Sequence, residues 1–217
     1  RFKSFNRYKS ITFPQSGFKV NHKKIYLSKI GNIDIVLHRE IKGKIKNLTI
    51  KRSADNWYVI FSCEGVVIDK IKPQEEKIGI DVGIENFATM SNGQIIGNPK
   101  FFRKSEQNLA KLQRRLSRKK KGSMNRKKAR IKVARQHEKI FNQRTDFLHN
   151  QTAKIVRMFK LIAVEKLNIK GMVQNRYLAK SISDASWNRF VQMLSYKVEN
   201  TGGKVELINP KYTSQRC

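Results

Sequence analysis

The chain has 217 residues, enough for one large domain or two small ones. Lys and Arg number 47 against 16 Asp and Glu, a formal net charge of +31 that argues for a polyanionic partner. An apolar fraction of 39%, including 12 Phe and 2 Trp, can build a core and excludes a wholly disordered basic protein. No run approaches the roughly 20 apolar residues of a membrane span, and the basic start RFKSFNRYKS leads into no apolar signal segment. No membrane partner is expected. Two cysteines, Cys63 and Cys217, cannot form a disulfide framework, and a reducing cytoplasm is the expected setting. Arg1 in place of Met, and a last Cys after a polar Thr-Ser-Gln-Arg run, read as the edges of a fragment.

Residues 25–64 read as short strands. IYLSKI (25–30) and IDIVLH (33–38) flank Gly31-Asn32, a hairpin-type dipeptide. KNLTIKR (46–52) and WYVIFSC (57–63) flank Ser-Ala-Asp-Asn at 53–56. A small antiparallel barrel or sheet is the natural reading, with its Lys residues either protecting edges or contacting a ligand. KIKPQEEK (70–77) reads as a linker. KIGIDVG (77–83), ENFATMS (85–91) and GQIIGN (93–98), with Asn92-Gly93 as the strongest turn signal, predict a three-stranded meander.

Leu109, Leu112 and Leu116 recur at helical spacing and predict a helix over 105–121. Gly122-Ser123 breaks it. A second helix is predicted from about 124 to 160, with a seam of Ile131, Ala134, Phe141, Leu148, Ile155 and Phe159. The pair makes an antiparallel helical hairpin. LIAVE (161–165) is too short and apolar for a helix and predicts a buried strand. Residues 186–201 predict a helix with Trp187, Phe190, Leu194 and Val198 on one face, stopped by Gly202-Gly203. KVELI (204–208) follows, completing a parallel strand–helix–strand unit. No fixed-period repeat is present.

Two acids stand out. On the strand around Asp81, Ile78, Ile80 and Val82 share one face, and Gly79, Asp81 and Gly83 share the other. Glycines in a strand interior often mark close approach by a ligand. Glu165 closes an apolar strand, where a charge is costly unless paired or bound to metal; alternatively it lies just past the strand end, in water beside Lys166. Ligands of α/β sheets gather at strand C-terminal ends. Mg²⁺ favours one or two carboxylates plus phosphate oxygens, and two ions about 4 Å apart can drive phosphodiester hydrolysis.

Between Lys111 and Arg135 there are 13 Lys or Arg and no acids. Arg114, Arg115, Arg118, Lys119, Lys120, Lys121, Arg126, Lys127 and Lys128 cluster at the hairpin tip. A solvated helix face normally mixes signs for i,i+4 pairing. This one does not, so its self-repulsion calls for a nucleic-acid backbone, DNA or RNA. A four-ligand zinc site cannot be assembled, because His22, His38, His137 and His149 are scattered and Cys63 lies within a predicted strand, as a small core residue.

KIGIDVGIENFATMSNG (77–93), the basic hairpin, IAVEKLNIKGM (162–172), the Trp187–Phe190–Leu194 helix, GGKVELINP (202–210) and YTSQRC (212–217) occur in that order. Together they resemble the TnpB/OrfB proteins of bacterial and archaeal insertion sequences, a transposase-type family related to the type V CRISPR effectors. The resemblance covers nearly the whole chain. It implies a mixed α/β chain: a wedge-like β-barrel over 1–72, then an RNase H-like RuvC nuclease domain over 73–217. A helical hairpin at 103–160 is inserted in that domain, and a zinc ribbon begins at 213–217. The implied activity is RNA-guided, Mg²⁺-dependent DNA cleavage, with DNA and a guide RNA as partners in a bacterial or archaeal cytoplasm. Asp81 matches the first RuvC acid and Glu165 the second, both as Mg²⁺ ligands. Cys217 matches the first Zn²⁺ ligand of the ribbon. The third acid and the other zinc cysteines have no match, and Asp184 does not take that position. These 217 residues are therefore expected to be inactive alone.

Two other readings compete. A non-catalytic basic RNA- or DNA-binding protein has no need of an acid between two glycines. An actin-like ATPase would need a second Gly-rich phosphate loop, which the sequence lacks. Oligomeric state is not legible.

Overall fold

A computed structural model describes residues 8–66 and 73–209. The chain divides into two compact units, residues 1–68 and residues 69–217.

In the first unit, strand β1 (Ser10–Phe13) pairs antiparallel with β5 (Lys44–Ser53), which pairs with β6 (Asn56–Glu64). Strands β2 (Phe18–Asn21), β3 (Lys24–Leu27) and β4 (Gly31–Asp34) form a second antiparallel sheet. Phe13, Ile25, Leu27 and Leu48 form the core of the unit, backed by Phe18, Val20, Ile35, Ile50, Val59 and Phe61. Among the described residues these are two three-stranded sheets, and no ladder closes them into a barrel. The β3–β4 turn also falls elsewhere than predicted. Leu27 pairs with Gly31, so Ser28–Ile30 make the loop, with Lys29 at φ 65° and Gly31 inside the strand at φ 100°. That register sets Ile25 opposite Ile33 and keeps Ile25, Leu27, Ile33 and Ile35 on one face. A two-residue turn at Gly31-Asn32 would have set Leu27 opposite Val36 and Ile25 opposite His38, mixing the faces. The β5–β6 connection is tighter than the sequence indicates: Ser53 pairs with Asn56 across Ala54-Asp55, with Ala54 in the left-handed region at φ 50°. Cys63 is half-buried in β6, opposite Ile45.

The second unit is built on one five-stranded sheet in the order β9-β8-β7-β10-β11. Strands β7 (Glu75–Val82), β8 (Asn86–Met90) and β9 (Ile95–Gly97) form the antiparallel meander. Gly93 turns it at φ 85°, and Asn92 Oδ1 accepts from the Gln94 N–H at 3.1 Å. Residues 75–76, expected in a linker, belong to β7, because Phe159 and Leu161 of the neighbouring strand pair with Glu75 and Lys77. Strand β10 (Phe159–Glu165) runs parallel to β7 on one side and to β11 (Lys204–Ile208) on the other.

Helices α1 (Phe101–Ser117) and α2 (Met124–Met158) form the hairpin. The 35 residues of α2 span about 52 Å at 1.5 Å each. Ser123 caps α2, its Oγ accepting from the Arg126 N–H at 3.2 Å. The second helix stops at Met158 because Phe159 is fully buried as the first residue of β10. Leu148, Ile155 and Phe159 of the predicted seam are buried, and the departure is at Phe141. Ile140, Leu148, Thr152, Ile155 and Val156 are buried, whereas Phe141 is 52% exposed and carries the Arg189 guanidinium over its ring at 4.6 Å. Thr152 is tolerated in the seam because its hydroxyl donates to the Leu148 carbonyl at 2.6 Å. Short helices α3 (Ile169–Met172) and α4 (Ala179–Ala185) precede α5 (Trp187–Asn200). The i, i+3, i+7, i+11 set Trp187, Phe190, Leu194 and Val198 is buried as the spacing requires. Each such side chain contributes about 1.5–3 kcal/mol. These helices pack on the Ile78, Ile80, Val82, Ile162 and Val164 face of the sheet.

Candidate functional site

The opposite face of the sheet carries the acids. On β7 it presents Lys77, Gly79 and Asp81; on β10 it presents Leu161, Ala163 and Glu165. Val164 is in register with Ile80, so Asp81 and Glu165 follow it as same-face neighbours at the C-terminal ends of adjacent parallel strands. Strands lie about 4.8 Å apart, which lets two carboxylates flank one point. Asp81 is exposed and Glu165 half-buried. Among the described residues neither side chain makes a hydrogen bond or an ion pair. In a chain with 47 Lys and Arg, a half-buried carboxylate left without a counter-charge suits a bound cation.

The flanking glycines have different causes. A Cβ on Gly83 would lie 3.0 Å from the Asn86 carbonyl, so local packing accounts for that residue. A Cβ on Gly79 would meet Ser91 at an ordinary 3.5 Å. Packing does not demand Gly79, and the space it leaves lies one step before Asp81 on the same face. No third His, Cys, Asp or Glu joins the pair among the described residues. Two carboxylates fit a hard divalent cation that takes its remaining ligands from water and phosphate.

Asp184 belongs to another construction. It is 7% exposed, and its Oδ1 accepts from Arg144 Nε at 2.8 Å and Nη2 at 2.7 Å. Both of its oxygens also accept from the Phe102 N–H, at 3.0 and 3.1 Å. Lys100, at the N-cap of α1, has φ 50° and no capping side chain, so Asp184 satisfies that helix end from 82 residues away. No local sequence signal could reveal this.

The hairpin tip displays Arg114, Arg115, Arg118, Lys119, Lys120, Lys121, Lys127 and Lys128 to solvent. Arg126 is half-buried and differs in role: its Nη1 donates to the carbonyls of Leu116 at 3.0 Å and Lys119 at 2.9 Å. It closes the turn that carries the other cations. Cys217 and the 213–217 ribbon entry lie outside the described residues. No helix among the described residues is long and apolar enough to cross a membrane.

The OrfB IS605 family, described as a probable transposase, matches residues 60–176. A second family, described as the Cas12f1-like TNB domain, matches residues 187–217. An Escherichia coli K12 protein named "Putative RNA-guided DNA endonuclease InsQ" is 32% identical over all of this chain and 58% of its own length. A Streptomyces pristinaespiralis protein named "Putative RNA-guided DNA endonuclease" is 36% identical over all of this chain and 55% of its own. The chain thus spans just over half the length of these curated relatives. A cryo-EM structure of a Cas12f1–sgRNA–target DNA complex shares the fold with a TM-score of 0.52 at 15% identity, over 78% of this chain and 37% of that one.

Proposed function

The chain belongs to the OrfB IS605 transposase family, and from that premise we propose that it carries the wedge and RuvC parts of a transposon-encoded, RNA-guided, Mg²⁺-dependent DNA endonuclease. One observation carries the catalytic reading. Asp81 and Glu165 stand side by side, unpaired among the described residues, on the sheet face opposite the packed helices, at the ends of two parallel strands. The strand order, three antiparallel strands followed by two parallel ones, supports an RNase H-like RuvC domain. The two sheets of the first unit support a wedge-type β-domain. The names of the relatives and of the Cas12f1 complex support DNA and guide RNA as partners.

Asp81 and Glu165 would hold Mg²⁺. When bound, the ion supplies the Lewis acid that activates a water and stabilises the leaving oxygen of a phosphodiester. The protein's own share is rigid placement: both carboxylates sit on strands anchored by Ile78, Ile80, Ile162 and Val164, each 4% exposed or less. The basic tip holds phosphates by charge and is silent on sequence. Cys217, by the family match at 187–217, would be the first Zn²⁺ ligand of a ribbon.

Two carboxylates leave a two-ion site short of protein ligands, so these 217 residues alone should not cut. Guided plasmid cleavage in Mg²⁺ tests this. It compares the chain with a chimera carrying the C-terminal remainder of the Streptomyces relative after residue 217. The chimera should cut, and Asp81→Ala or Glu165→Ala should abolish cutting. Cutting by the 217-residue chain, lost on Asp81→Ala, would show that the missing ligand lies within it. Cutting by the chimera that survives both substitutions would leave the acids without a catalytic role, and a chimera that binds nucleic acid but never cuts would favour a purely binding protein.

A further inference from the structure

The charge on α2 does not end at the hairpin tip. Lys128, Lys132, Lys139, Lys154 and Arg157 are all exposed and recur at helical spacing along one face. They run about 44 Å at 1.5 Å per residue, the length of roughly 13 base pairs at 3.4 Å each. The same face dips into an open groove of about 630 Å³, walled by Phe101 and Phe147, with Gln143, Asp146 and Asn150 along it and Lys154 and Arg157 at its end. The groove breaks the pattern. Asp146 is an exposed carboxylate in the middle of a cationic track, where a phosphate would be repelled. Asn150 Nδ2 donates to Asp146 Oδ2 at 3.2 Å, which commits one of the amide's two N–H groups to the carboxylate. Asp146 Oδ1 and Asn150 Oδ1 remain as acceptors. They call for a donor from the ligand. Along the backbone, phosphates and deoxyribose offer none, whereas a ribose 2′-hydroxyl donates and accepts.

We propose that this face of α2 is a nucleic-acid track continuous with the tip, and that Asp146 and Asn150 bind ribose 2′-hydroxyls in the groove, so that the strand lying there is RNA. The proposal rests on the nucleic-acid reading above and adds a place and a chemistry to it. Lys154 and Arg157 hold the phosphates beyond the groove. Gln143 offers a further amide to the sugar edge.

The test uses the 217-residue chain and three 20-base-pair duplexes of one sequence: DNA, an RNA–DNA hybrid, and the hybrid with a 2′-O-methyl RNA strand. The last keeps the hybrid's RNA strand but has no hydroxyl donor. The chain should bind the hybrid about tenfold more tightly than its 2′-O-methyl form. The double variant Asp146→Ala/Asn150→Ala should bring that ratio close to one. The ratio cancels the general gain in polyanion affinity from removing a negative charge. Lys154→Gln/Arg157→Gln should lower the slope of log K against log salt by about 1.4–1.8 on every duplex. A ratio near one in the unaltered chain overturns the proposal, as does a ratio that the double variant leaves unchanged. An unchanged slope in Lys154→Gln/Arg157→Gln, with tip substitutions still lowering it, removes α2 from the path while sparing the tip. If tip substitutions also leave the slope unchanged, the nucleic-acid reading itself fails.

Discussion

Asp184→Ala should be among the most damaging single changes in the second unit, although Asp184 lies outside the candidate catalytic pair. The side chain is 5% exposed and its partner Arg144 24%. Truncation removes two charge-assisted bonds from Arg144 and the acceptor for the Phe102 N–H. It leaves a guanidinium without its counter-charge and the α1 N-terminus uncapped. Breaking a buried ion pair by removing one partner costs about 3–5 kcal/mol. For a unit of this size that is a fall in Tm of about 10–15 °C, at roughly 3 °C per kcal/mol. Asp184→Asn keeps an acceptor for Phe102 and loses the charge, and should cost about 1–3 kcal/mol. Urea unfolding followed by circular dichroism, with calorimetry for Tm, measures both. A loss under 1 kcal/mol for Asp184→Ala would show that the Arg144 bridge contributes nothing net, and the reasoning would fail.

Replacing Arg118, Lys119, Lys120, Lys121, Lys127 and Lys128 by Gln should lower the salt slope of nucleic-acid binding by roughly 4–5, at about 0.7–0.9 per phosphate contact. Asp81→Ala or Glu165→Ala should leave that slope unchanged, because the proposed phosphate contacts and the proposed cation ligands are different residues. His149 is exposed at its edge, yet partial desolvation, then the charges of Lys197 and Arg189, hold it below its ordinary pKa of 6.5 against the opposing charge of Asp146. The unfolded chain therefore takes up a proton that the folded chain resists. Stability should fall as the pH drops from about 6.5 toward the lower folded value, and His149→Gln should flatten that slope in unfolding measured from pH 8 to pH 5.

Elements with a repeating pattern were legible in the sequence. The α5 set Trp187, Phe190, Leu194 and Val198 packs as its spacing requires, and the LIAVE and KVELI strands pair in parallel. Alternation around Asp81, with an apolar run ending at Glu165, was enough to expect both acids on one sheet. What failed depended on register or on distant partners. Gly31-Asn32 has turn chemistry, yet the facing of Ile25, Leu27, Ile33 and Ile35 moves the turn to Ser28–Ile30. Phe141 fits a 3–4 seam as well as Ile140 does, yet Ile140 is buried and Phe141 is exposed beneath the Arg189 guanidinium. Arg126 looks like its cationic neighbours in sequence, yet the backbone carbonyls of the turn claim it. Asp184 bonds a helix end 82 residues away, a closeness that exists only once the sheet and hairpin have formed.

The cation site proposed for Asp81 and Glu165 is tested most directly by Mn²⁺ binding to the 217-residue chain, with free Mn²⁺ followed by electron paramagnetic resonance. One ion held by both carboxylates requires saturable binding that weakens at least tenfold in Asp81→Ala and in Glu165→Ala. The double variant should lose little more than either single one, since both residues serve one site. Equal Mn²⁺ uptake by the unaltered chain and the double variant would contradict the site, and with it the catalytic assignment of the pair.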